Sequence, residues 1–179
     1  MGDRIAVLNE GKLQQVATPE KIYKLPENTF VANILGSPPM NLIPCNANGQ
    51  NGADSITHDC FEIAGTSDSF KKLFQAEGAK QSLLLGVRPE DINIHHQKET
   101  GACIAAEIYV VEPLGNETVV DIKLGDNIIK VLAGADFMGA SGEKVWITLR
   151  LDRLHFFDKE SGQGLLHISG DSVCRIAPL

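Results

Sequence analysis

Aromatic residues make up only 6% of this 179-residue chain, and Trp146 is its single tryptophan. A surface that stacks single-stranded bases needs several aromatic faces along a basic groove. The basic groove is missing too, because 16 basic side chains stand against 23 acidic ones, for a net charge of −7. Phosphate contacts supply most nucleic-acid affinity, so no nucleic-acid partner is expected. Cysteine is scarce: Cys45, Cys60, Cys103 and Cys174 are scattered, and none forms a C-x-x-C pair. That spacing excludes a zinc ribbon or a thioredoxin-like motif. Four thiols are also too few for a disulfide framework, and they read as reduced and cytosolic. The opening MGDRIAVLNEG has no apolar signal core. The longest uncharged run, Asn28 to Ala53, is broken by Pro38, Pro39 and Pro44 and cannot span a bilayer. A soluble, intracellular chain is expected.

What is present is ordinary globular material, 43% hydrophobic and 22% charged. The length fits one domain, or one domain with a fragment of another. Charge is unevenly spread. Residues 1–44 carry four basic and four acidic side chains, so the remaining 12 basic and 19 acidic ones, and the whole deficit, fall after residue 44.

Ile5–Leu8 and Leu13–Val16 flank Asn9-Glu10-Gly11, a hairpin pattern. Thr18-Pro19-Glu20 starts a helix, with Thr as N-cap and Pro at the first helical position, and Leu25-Pro26 ends it. Asn28 caps a second helix with Phe30, Val31, Ile34 and Leu35 on one face, and Gly36 follows its end. Neither helix shows a partner within the first 35 residues, so both are expected to need a larger body. Short strands are expected over Phe61–Ile63, Ser82–Val87, Ala102–Val111, Thr118–Leu124, Ile128–Leu132, Val145–Leu149 and Leu154–Phe157. Ile104, Ala106, Ile108 and Val110 are expected on one face. Gly125-Asp126 reads as a tight turn, and Phe70, Leu73 and Phe74 as a short helix. Turn signals at this spacing predict a mainly β fold, a small antiparallel OB-like barrel preceded by a hairpin and two small helices.

No catalytic set survives inspection. Gly134 to Gly139 has P-loop glycine spacing, but Ala140 stands where the phosphate-holding lysine belongs. Gly139-Ala-Ser-Gly142 lacks the last glycine of a nucleophile elbow. His95 and His96 are adjacent, so on a strand they point apart and cannot share a metal; they read as a solvated loop pair. Asn116-Glu117-Thr118 fits a glycosylation sequon that an intracellular chain never presents. Glu107, Glu112 and Glu117 read as the polar face of half-buried strands, and Trp146 as a packing residue. No catalytic, cofactor or metal residue is expected in this chain.

Certain motifs carry a resemblance. Asp3-Arg4-Ile5, Gly11, Gln15, Thr18-Pro19-Glu20, Tyr23, Pro26, Phe30-Val31-Ala32, Gly36-Ser37-Pro38 and Met40-Asn41 follow one another in order. So do Leu85-Gly-Val-Arg-Pro-Glu90, Val110-Val-Glu-Pro-Leu-Gly-Asn-Glu-Thr118 and Phe157-Asp158 with Gly162. This series resembles the C-terminal third of carbohydrate-importer ABC ATP-binding subunits of the maltose-transporter type, departing at Ala17, where that family usually has glycine. The resemblance implies that residues 1–35 are the tail of the ATPase domain and 36–179 an OB-like TOBE regulatory domain. The family's P-loop, signature and switch histidine would lie upstream, and Mg-ATP would bind there. It further implies a homodimer through the parent subunit, permease subunits as partners, contact with a regulatory protein, and a place on the cytoplasmic face of the membrane. The transported solute is expected to be a sugar or a sugar-like compound such as glycerol phosphate. Expected hinge and interface residues are Ser37, Pro38, Met40, Asn41, Arg88, Glu90, Gly115, Asn116, Glu117 and Thr118. Gly86, Pro89 and Gly115 equally fit plain turn-shaping. The alternative reading is a stand-alone module binding a small oxyanion. The acidic net charge argues against it, although one local arginine could suffice.

Overall fold

A computed structural model describes residues 2–50, 53–65, 70, 71, 73, 74, 82–99, 101–168 and 174–179. In chain order the elements are β1 (Ile5–Asn9), β2 (Lys12–Ala17), α1 (Pro19–Lys24), α2 (Thr29–Ile34), β3 (Asn41–Gln50), β4 (Ala53–His58) and β5 (Phe61–Gly65). They continue with β6 (Ser82–Val87), β7 (Ile92–His95), β8 (Ile104–Pro113), β9 (Glu117–Leu124) and β10 (Asn127–Gly134). Last come β11 (Lys144–Leu149), β12 (His155–Asp158), β13 (Gly164–His167) and β14 (Cys174–Pro178). Short 3₁₀ turns occupy Pro89–Asp91 and Leu151–Arg153.

The hairpin and both helices form where the sequence places them. Thr18 accepts from the Lys21 N–H, and the Asn28 side chain accepts from the Val31 N–H at 2.9 Å. Each cap satisfies an amide that has no partner inside a helix of only six residues. Contrary to expectation, this N-terminal unit has a small core of its own. Val7, Ala17, Ile22 and Val31 are buried together, with Ile5, Phe30 and Leu35 packed on them.

The remaining strands divide between two antiparallel sheets. One runs β13-β12-β6-β3-β4-β5-β14 and the other β10-β9-β8-β11-β7. Their inner faces share one core, in which Ile43, Leu83, Leu85 and Phe156 of the first sheet join Ile108, Val120, Ile122 and Ile147 of the second. The mainly β character expected from the sequence is present. At Gly125 the φ of +58° opens the two-residue turn between β9 and β10, a conformation glycine adopts without the clash a side chain brings.

Two local readings are corrected. Val110 does not share the inner face of β8: the pairing register shifts between Ile108 and Val110, and this bulge leaves Val110 exposed. His95 is not in a loop but ends β7, with its Nε2 3.2 Å from the Thr148 hydroxyl. Around Phe70 a single turn is described, closed by bonds from the Leu73 N–H to the Phe70 carbonyl and from the Phe74 N–H to the Lys71 carbonyl. Phe70 and Leu73 are buried in the shared core; the rest of that expected helix lies outside the described residues. Among the described residues, no helix is long and apolar enough to cross a membrane.

Candidate functional site

Arg88 follows β6 directly and is only 3% exposed, although it is charged. Its guanidinium donates from Nη1 to the Leu35 carbonyl at 2.9 Å and from Nη2 to the Tyr23 carbonyl. Its Cζ lies 3.4 Å from the centre of the Tyr23 ring. Tyr23 is in the last turn of α1, and Leu35 is the C-cap of α2. One side chain of the barrel thus satisfies free carbonyls at the negative ends of both helices. Arginine suits this geometry, since its planar fork presents several fixed donors and stacks on an aromatic face. Burial pulls the Arg88 pKa down, while Tyr23, Glu90 and Asp91 push the other way.

Tyr23 completes the arrangement by donating its hydroxyl to Glu90 Oε1. Burial first, and then this bond to a carboxylate, push the phenol up to about 12, so it stays a donor. Gly36 is shaped to the same contact. Its φ is +122°, and a Cβ there would stand 3.0 Å from the Pro38 carbonyl oxygen and 3.1 Å from Arg88 Nη1.

The next residues fasten the connection to the barrel. Ser37 is exposed, Pro38 half-buried, and the bond between them is cis. Met40 is buried in a small cluster with Ala32 of α2 and Phe157 of β12. Asn41 opens β3, and its amide makes a paired contact across to the other sheet. Its Nδ2 donates to the Lys130 carbonyl, and its Oδ1 accepts from the Lys130 N–H, both at 2.8 Å. Asn41 therefore occupies the outer edge of β10 as a neighbouring strand would.

Of the residues expected from the sequence, the structure gathers Pro38, Arg88 and Glu90 around Gly36 and Tyr23, with Met40 and Asn41 as adjoining anchors. Gly115, Asn116, Glu117 and Thr118 form a different feature, the β8–β9 turn. It is closed by the Leu114 N–H donating to the Glu117 carbonyl at 2.8 Å. Gly115 and Asn116 are exposed there, whereas Thr118 is wholly buried with no hydrogen-bond partner for its hydroxyl.

Sequence reasoning missed Tyr23 and Leu35 as the partners of Arg88. A usable signal existed: a charged residue ending the apolar run Leu83–Val87 needs a buried partner. It also missed the stacking of His155 on His167, with ring centres 4.3 Å apart. The three glutamates read as a polar face behave as such, with Glu107 paired to exposed Lys123 at 3.2 Å. Trp146 is half-buried, with the Lys144 ammonium 5.5 Å from its ring centre. His96 stacks on Phe137 and bonds Glu143 at 2.8 Å. Among the described residues, no group of three or more His, Cys, Asp or Glu side chains could hold a metal.

Two family models match in tandem: the MalK OB fold domain over residues 36–92 and the TOBE domain over residues 85–157. Similar proteins include the xylose/arabinose import ATP-binding protein XacK of Haloferax volcanii. It is 36% identical over 169 residues, covering 92% of this chain and 42% of that protein. The trehalose/maltose import ATP-binding protein MalK of Thermococcus litoralis is 31% identical over 179 residues, covering 92% and 45% respectively. The multiple sugar-binding transport ATP-binding protein MsmK of Streptococcus mutans is 32% identical over 174 residues, covering 90% and 45%. The chain thus spans less than half the length of these relatives. Among solved structures, the cytoplasmic molybdate-binding protein ModG is similar in fold, with a TM-score of 0.52 at 9% identity, covering 65% of this chain and 94% of that one.

Proposed function

We propose that this chain, which belongs to the MalK OB fold and TOBE domain families and is homologous to ATP-binding proteins of sugar-import ABC transporters, is the regulatory part of such a subunit. In this reading residues 1–35 complete an ATPase domain and residues 36–179 form a non-catalytic regulatory domain. The regulatory domain helps hold the subunit as a homodimer. The parent subunit binds Mg-ATP in its ATPase domain and works with permease subunits on the cytoplasmic face of the membrane. It imports a sugar or a sugar-like solute such as glycerol phosphate, and a regulatory protein reads the barrel surface.

The observation that carries this reading is the double cap of Arg88. A regulator acts only if a change in its own body is felt by the body it regulates. Arg88 belongs to the barrel, yet it holds the ends of two helices from the preceding unit. A shift of β6 therefore pulls on both helices at once. A linked barrel also raises the effective concentration of paired subunits without adding chemistry.

The test uses the parent subunit beside this chain. Mg-ATP titrated calorimetrically into the parent should bind, and into this chain should give no saturable heat; stoichiometric binding by the chain would overturn the non-catalytic assignment. Sedimentation of the parent with and without residues 36–179 should show weaker pairing after removal. Equal pairing would overturn the dimer-holding role.

A further inference from the structure

One surface cleft runs counter to the acidic character of the chain. A depression of about 170 Å³ lies where α1 meets the barrel, lined by Tyr23, Lys24, Arg88, Glu90, Asp91, Arg150, Arg153, His155 and His167. Four of these side chains are cationic and two are carboxylates, in a protein whose net charge is −7. Arg88 and Glu90 are committed to Tyr23. Among the described residues, Arg150 and Arg153 hold only long side-chain ion-pair contacts, 3.4 Å to Asp91 and 3.5 to 3.7 Å to Asp152. Their remaining N–H donors are available to a ligand.

The floor is formed by the two histidines. His155 is 94% buried by its 6% exposure, and no hydrogen bond to its ring is found among the described residues. His167 stacks on it, and the His167 Nδ1 is buried without a hydrogen-bond partner. Burial lowers the pKa of both imidazoles, helped at His155 by His167 and Arg88 and opposed at His167 first by the Leu154 backbone. Each neutral ring keeps one N–H donor. Both histidines also line a second, adjoining cleft of about 390 Å³ with Glu27, Gln163 and Phe157. Its mixed lining of polar and aromatic residues suits a hydroxylated body. We propose that this double cleft binds a phosphomonoester of a small polyol or sugar, its phosphoryl group held by Arg150, Arg153 and the His155–His167 pair. The hydroxylated part would lie in the larger cleft against Gln163 and Glu27. The site assignment stands apart from the regulatory reading above, since it concerns binding to this chain alone.

The phosphoryl chemistry could be met by free phosphate as well as by a monoester, and the arms of the test separate them. Glucose 6-phosphate, glycerol 3-phosphate, inorganic phosphate and glucose are each titrated calorimetrically into the chain at constant ionic strength. Saturable binding of a monoester, at least about tenfold tighter than inorganic phosphate, is expected, with no binding of glucose. Arg153→Gln should weaken it about tenfold or more, the usual effect of losing a charge-assisted contact. Asp91→Asn should tighten it, because it removes a competing carboxylate; a gain of affinity is not something a damaged fold produces. Imidazole ¹⁵N shifts of His155 and His167 should move on saturation while those of His95 and His96 do not. Equal binding of phosphate and monoester would overturn the role of the second cleft. Absence of all binding, or affinities untouched by both variants, would overturn the site.

Discussion

Replacing Arg88 tests the junction most directly. The side chain is buried and donates to two helix-end carbonyls. A hydrogen bond from a charged donor contributes about 1.5–3 kcal/mol, and a buried carbonyl left without a partner costs about 1–3 kcal/mol. The two effects overlap, so Arg88→Ala, which loses two such bonds and leaves two neutral carbonyls unpartnered, is expected to destabilise the junction by about 3–5 kcal/mol. That is a large share of the roughly 5–15 kcal/mol available to a folded domain. The loss should be local first, because the N-terminal unit has its own small core and the barrel has another. Native-state hydrogen exchange separates the two. Amides of residues 19–35 should lose protection by about a hundredfold to a few thousandfold, while those of β3, β6 and β8 lose much less. Arg88→Lys should fall between, since a single ammonium cannot span two carbonyls and stack on Tyr23 together. Arg88→Met keeps much of the volume and removes only the donors. If that variant matches the unsubstituted chain in both amide protection and urea midpoint, the double cap contributes nothing to the junction.

Three further outcomes follow from the same geometry. Asn41→Ala removes both bonds to Lys130 and should cost about 2–3 kcal/mol in urea unfolding, at about 1 kcal/mol per bond plus desolvation. His155 is held down to about 3, chiefly by burial and then by His167 and Arg88. The unfolded chain therefore takes up a proton near pH 6.5 that the folded chain refuses. Stability is full above about pH 6.5 and should fall towards pH 3, by up to about 1.4 kcal/mol per pH unit from this group. His155→Asn should flatten that slope in denaturation series run between pH 4 and pH 8. Thr118→Val should leave stability unchanged or raise it by about 0.5–1 kcal/mol, because the hydroxyl it removes is buried and unpartnered; a loss above about 1 kcal/mol would show that the hydroxyl is satisfied after all.

The fold was legible where a local pattern has one reading. Thr18-Pro19 and Asn28 marked both helix starts, because a side-chain oxygen ahead of an apolar face has few other uses. Alternation gave β9 and β11, whose inner residues Val120, Ile122, Val145 and Ile147 are buried. It failed at Val110, since a bulge leaves no mark in the pattern. It gave no expectation for β3 or β4, where Asn46, Asn48 and Gly49 are held in register by Thr57, Ser55 and Asp54. The order in which the strands fall into two sheets over one core was not legible either, because it is set by contacts distant in sequence.

The candidate site was only half legible for a related reason. Arg88, Glu90, Met40 and Asn41 could be marked one at a time, but a mark does not say what the residue holds. The contact between Arg88 and Tyr23 spans 65 positions, and that between Asn41 and Lys130 spans 89. In both cases the partner is backbone, a carbonyl of Tyr23 and the N–H and carbonyl of Lys130, and every residue but proline carries both groups. No residue type could announce it. What the sequence does carry is the need: a guanidinium after five mostly apolar residues must be satisfied, and helices of six residues must have their ends capped by something outside themselves. Two unmet requirements of opposite polarity, a buried donor fork and a pair of free helix carbonyls, meet at Arg88. Their mutual satisfaction is the physical reason the N-terminal unit sits on the barrel at that point.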